Sequence, residues 1–109
     1  MLIGMLLLLT QATAPPVPAV EQQQTGSWLS SACEEAVATS GSTCLTYVTG
    51  VFDALRLLQV VCAPAGVTND QAARVVLKFL RDNPQRLHEH RVVLTVEALV
   101  RAFPCPPKK

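Results

Sequence analysis

Four cysteines, Cys33, Cys44, Cys62 and Cys105, constrain this chain more than any other feature of its sequence. Their number is even and the region that carries them is short. The chain opens on MLIGMLLLLT, an apolar run from Leu2 to Leu9. A run of about eight residues is the core of an export signal; a membrane span needs roughly 20. Val17-Pro18-Ala19 then offers Val and Ala at the −3 and −1 positions of a signal-peptidase site. Export leads to an oxidising compartment, where an even set of cysteines in a small domain reads as two disulfides. No Cys-x-x-Cys occurs, which argues against both a zinc site and a dithiol redox motif.

With 109 residues the chain has room for one domain. Nine Lys/Arg stand against eight Asp/Glu, for a formal net charge of +1, and all of them lie at or after Glu21. That balance excludes a nucleic-acid binder, which needs a basic stripe to displace counterions from phosphates. It also excludes a polybasic membrane binder, so no membrane contact is expected once the signal is cut. Residues 15–25, PPVPAVEQQQT, are rich in Pro and Gln and lack an apolar period. The domain boundaries expected are a signal peptide over 1–19, a disordered lead-in over 20–25, a helical domain over 26–106 and a tail over 107–109.

Apolar spacing predicts an all-α bundle of four to five short helices. The first runs from about Ser27 to Ala38, with Trp28, Leu29, Ala32 and Ala36 on one face, and ends in Ser40-Gly41-Ser42. The second runs from about Thr43 to Cys62, with Leu45, Val48, Phe52, Leu55, Leu58 and Val61 inward. Gly50 inside it costs about 1 kcal/mol relative to Ala, which suggests the close approach of another helix. Asp53 reads either as half buried and hydrogen-bonded or as an exposed helix carboxylate. The third helix starts at Thr68, which with Gln71 forms a capping box, and buries Ala72, Val76, Phe79 and Leu80 before Asn83-Pro84 stops it. The fourth runs from about His88 to Phe103, with Val92, Val93, Val96, Leu99, Val100 and Phe103 inward. No segment alternates with period two over a useful length, so no sheet is expected.

Helix geometry selects the disulfides. A helix from Cys44 to Cys62 holds its ends about 27 Å apart, and a disulfide needs Cα atoms within about 7 Å. Short loops make successive helices antiparallel, which brings Cys33 near Cys44 and Cys105 level with Cys62. The bridges expected are Cys33–Cys44 and Cys62–Cys105.

No catalytic set stands out, and no cofactor is expected. His88 and His90 are the only histidines, and further metal ligands beside them are not obvious. With every sulfur assigned to a bridge, no thiol remains as a nucleophile. The stretch Arg81 to Arg91, RDNPQRLHEHR, is the most charge-dense of the domain. It reads either as a solvated turn or as a Pro-stiffened recognition element on a stapled helical base.

Taken together the motifs resemble a family. Cys44-x-x-Tyr47-x-x-Gly50-x-x-Asp53-Ala54 is followed by Cys62-x-Pro64-x-Gly66-Val67-Thr68 and Gln71. Then come Val75-Val76-x-x-Phe79-Leu80, Asn83-Pro84 and Ala98-Leu99-x-x-Ala102-Phe103-Pro104-Cys105. This order is similar to that of the Rap/Tai family of type VI secretion immunity proteins, over about residues 26–106. The resemblance implies a periplasmic helical protein, commonly a homodimer, that binds a cell-wall amidase effector and blocks its active site with a protruding segment. It implies that Tyr47, Gly50, Asp53, Pro64, Gly66 and the cysteines build the fold. The protruding segment is placed, on polarity and position, at Asp82, Asn83, Gln85, Arg86, His88, Glu89 and His90. Replacing Arg86, His88 or Glu89 by Ala is then expected to weaken partner binding with little change in melting temperature. Two other functions compete: a small periplasmic stress chaperone without a cognate toxin, and a metal carrier or enzyme using His88 and His90.

Overall fold

A computed structural model describes residues 20–36 and 42–107. The elements in chain order are α1 (Val20–Gln23), α2 (Gly26–Ala36), α3 (Thr43–Leu57), α4 (Asn69–Asp82), a 3₁₀ turn (Pro84–Arg86) and α5 (Arg91–Ala102). No strand forms among the described residues; Thr25 and His90 make one isolated antiparallel bridge. No described helix is long and apolar enough to cross a membrane. The expected signal peptide over 1–19, the end of the first helix at Ala38 and the last two residues of the tail lie outside the described residues.

Helix α3 is the central rod. Ser42 caps it, its hydroxyl accepting from the Leu45 N–H at 3.1 Å. Cys44, Val48, Phe52 and Leu55 recur at helical spacing and are buried. The helix ends at Leu57, short of the Cys62 expected from periodicity. Gln59 takes a left-handed φ of 59°, and the Val60 and Val61 N–H groups both turn back to the Leu55 carbonyl. Such a reversal satisfies a carbonyl at the helix end and breaks the phase of the stripe. Leu58, expected inward, is therefore 68% exposed, while Val61 folds back into the core. Gly50 is also a correction. It is exposed, and a methyl built on it would meet nothing within 4 Å, so no helix approaches there. Asp53 is an exposed helix carboxylate.

The turn from α3 to α4 contains Pro64 and Gly66, the latter at φ +94°, where a side chain would be strained. The capping box forms as expected. Thr68 Oγ1 accepts from the Gln71 N–H at 3.1 Å, and Gln71 Oε1 accepts from the Thr68 N–H at 2.8 Å. Helix α4 buries Ala72, Ala73, Val76, Leu77 and Leu80. Its exposed side carries the i,i+4 pairs Asp70–Arg74 and Lys78–Asp82.

Helix α5 begins at Arg91, with His90 as its cap, Nδ1 accepting from the Val92 N–H at 3.2 Å. Starting there sets the phase so that Leu94, Thr95, Ala98 and Leu99 face inward. Val92 and Val93, expected in the core, are 40% and 51% exposed.

Both disulfides join the expected partners, each with a Cα–Cα distance of 4.8 Å. Cys33–Cys44 is buried in the core. Cys62–Cys105 lies nearer the surface, where the Cys62 N–H also donates to the Phe103 carbonyl at 3.0 Å. Helices α3 and α5 thus end together, while α4 returns between them to the other end of the bundle. That other end holds the connection between α4 and α5.

Candidate partner-binding surface

The α4–α5 connection is built into the fold by backbone hydrogen bonds. Asn83 closes α4, its amide donating to the Phe79 carbonyl at 2.8 Å. Pro84 starts the 3₁₀ turn, and the Glu89 N–H donates to the Arg86 carbonyl at 2.9 Å. The connection then meets the start of α2. The Gly26 N–H donates to the Glu89 carbonyl and the Ser27 N–H to the Leu87 carbonyl, both at 2.9 Å. The first N–H groups of a helix have no partner within it, so the connection caps α2. Gly26 is required for this approach. A Cβ there would run into Leu94 Cδ1 and stand 3.2 Å from the Leu87 carbonyl oxygen.

The other strand of this contact is the lead-in. Residues 20–25 were expected to be disordered, and instead they form α1 and dock. The Arg91 N–H donates to the Gln24 carbonyl at 2.5 Å, and Thr25 Oγ1 accepts from the Trp28 N–H at 3.2 Å. Their order comes from backbone groups of a distant segment. Composition carries no trace of it.

Side-chain charge ties the connection to α5. Arg86 donates to Glu89 at 2.7 and 3.0 Å and to Glu97 at 2.6 Å, and Arg101 pairs with the other Glu97 oxygen at 2.6 Å. Arg86 and Arg101 also lie over the Phe79 ring, 5.7 and 5.9 Å from its centroid. The hydrogen bond from Arg86 holds both Glu89 and Glu97 below the usual carboxylate range and raises Arg86 in turn. A depressed carboxylate pKa stabilises the fold above the ordinary value near 4.5 and ceases to do so as pH falls through the depressed folded value. Acidification from neutral pH to about pH 3 is therefore expected to lower the urea midpoint of the wild type more than that of Glu97→Gln, which has already lost the linkage. Equal acid sensitivity of the two proteins would contradict the assignment.

The seven residues expected to contact a partner thus separate into groups. Arg86 and Glu89 are half-buried and engaged with each other, so their replacement by Ala is expected to lower stability as well as any partner binding. Asp82 pairs with Lys78, Asn83 closes α4, and His90 caps α5. Gln85 and His88 remain exposed, Gln85 donating to the Asn83 Oδ1 at 3.5 Å. His88 and His90 are not part of any group of three or more His, Cys, Asp or Glu able to hold a metal among the described residues.

Sequence reasoning missed the neighbours of this segment. Val92 and Val93 extend it with exposed apolar surface. Arg91, at the start of α5, lines an open pocket of about 390 Å³ together with Trp28, Thr43, Thr46 and Tyr47. The Arg91 guanidinium stacks over Trp28 at 5.0 Å and Tyr47 at 4.6 Å. Burial pushes the Tyr47 phenol up, an effect the Arg91 charge opposes. No linear motif joins positions 28, 47 and 91; only the packing of α2, α3 and α5 does. Tyr47, expected to build the fold, also forms a wall of this pocket.

The family model for Rap1a immunity proteins matches residues 25–105. No curated protein and no solved structure matches the chain.

Proposed function

Because this chain belongs to the Rap1a immunity protein family, we propose that it is a periplasmic inhibitor that binds and sterically blocks a peptidoglycan amidase effector of type VI secretion. Proteins of the family are generally inhibitors rather than enzymes. The observation that carries the reading is the α4–α5 connection. Its backbone is fixed by α2 and its charged side chains by α5, while Gln85, His88, Val92 and Val93 are exposed. A pre-ordered segment loses little conformational entropy on binding. Polar groups around a small apolar centre are the usual composition of a protein interface.

In this reading residues 1–19 are the export signal. The homodimer uses the exposed Leu57, Leu58 and Val60 at the opposite end, leaving the connection free.

The test is binding and inhibition against purified type VI amidases, with Gln85→Ala/His88→Ala as the variant. One amidase is expected to be bound and inhibited by the wild type. The double variant is expected to bind it at least about tenfold more weakly, a loss of about 1.4 kcal/mol. Its unfolding free energy should stay within about 0.5 kcal/mol of the wild type, as for surface changes generally. Failure to inhibit any amidase would refute the function; a variant that binds normally would refute the surface.

A further inference from the structure

We propose that the pocket between Trp28, Tyr47 and Arg91 receives a carboxylate side chain, Asp or Glu, of the partner protein. The assignment rests on the partner-binding reading above and names the chemistry of one contact within it.

Among the described residues Arg74, Arg81, Arg86 and Arg101 each hold a carboxylate. Arg56 and Arg91 pair with none of the described carboxylates; Arg56 is exposed on α3, whereas Arg91 lines the pocket. One of the Arg91 N–H groups donates to the Gln23 carbonyl at 3.1 Å. A guanidinium has five donors in a rigid fork, so most of the fork is left without a partner. Contact with two rings restrains the guanidinium, which reduces the ordering cost of a bidentate contact.

The surroundings favour a negative charge. Thr43 opens α3 and Arg91 opens α5, so the positive ends of two helices of 15 and 12 residues meet at the pocket. The Thr43 and Thr46 side chains line it, and no acidic side chain among the described residues does. The Trp28 ring offers a flat apolar wall for the methylene groups behind a carboxylate. Arg91 follows directly on the α4–α5 connection, so the pocket adjoins the surface assigned to the partner.

Trp28 is the sole tryptophan of the chain, so its fluorescence reports the pocket directly. The probes are N-acetyl-glutamate α-amide and the matching glutamine compound, each titrated into the full protein. The carboxylate is expected to give a saturable change at millimolar concentration. The amide should bind at least about tenfold more weakly, and so should the carboxylate to Arg91→Lys, which keeps the charge and loses the fork. Equal responses to acid and amide, or no saturable response, would overturn the proposal. Should Arg91→Lys fail to fold, the acid–amide comparison on the wild type decides alone. In a complex with an inhibited amidase, Arg91→Lys is expected to cost about tenfold in affinity; an unchanged affinity would overturn the assignment to a partner side chain. The small-probe titration needs no amidase, so the pocket and the immunity reading fail independently.

Discussion

Replacing Cys62 and Cys105 together by Ser is expected to lower the unfolding free energy by about 4 kcal/mol. The bridge spans 43 residues, and closing a loop of that size removes about this much chain entropy from the unfolded state. In a domain of this size the loss corresponds to roughly 15–30 °C in melting temperature. The bridge holds the ends of α3 and α5 together, reinforced locally by the Cys62 N–H on the Phe103 carbonyl and the Phe52–Phe103 ring contact. The shorter Cys33–Cys44 loop, of 11 residues, is worth about 3 kcal/mol by the same reasoning. Denaturant titration of the two double-serine variants measures both. A loss below about 1 kcal/mol for Cys62/Cys105 would mean that the unfolded chain gains little freedom when cut loose.

Phe52→Ala is expected to cost about 3–5 kcal/mol, the range for truncating a buried aromatic residue. Phe52 has no exposed surface. Its ring packs 5.7 Å from that of Phe103, and the Arg56 guanidinium lies 5.2 Å from its centroid. The substitution opens a cavity where α3 packs on the end of α5, away from the α4–α5 connection. Molecules that remain folded should therefore bind their partner as before, and the defect should appear as a lower denaturant midpoint. Single domains are stable by about 5–15 kcal/mol in total. Combining the aromatic truncation with the loss of Cys62–Cys105 should leave little folded protein at 37 °C.

The sequence announced the features that depend on local pattern. The Thr68–Gln71 capping box, the helical stripe of α4 and the two disulfide pairs all follow from spacing, and each is present. It failed where tertiary geometry resets a helix. Periodicity continued the second helix through Leu58, but the left-handed Gln59 reverses the chain first. Val92 and Val93 look like core residues until α5 is seen to start at Arg91, anchored by Gln24. Gly50 attracted attention as a packing glycine and packs on nothing, whereas Gly26, which went unremarked, lets the connection lie against α2. The candidate site was half legible. The charge-dense segment over 82–90 marked its place, but not that Arg86 and Glu89 spend their charge on each other and on Glu97. The Trp28–Tyr47–Arg91 pocket was illegible, because its members come from three helices separated by long stretches of chain.

The docking of residues 20–25 against His90 and Arg91 governs how the protein can be handled. Any fusion or affinity handle joined upstream of Val20 emerges at the edge of the α4–α5 connection and would compete with a visiting protein there. A handle joined after Pro107 leaves from the Cys62–Cys105 end, separated by the length of α5, about 18 Å for its 12 residues. Immobilising the molecule on a sensor through that second point presents the α4–α5 connection to solution.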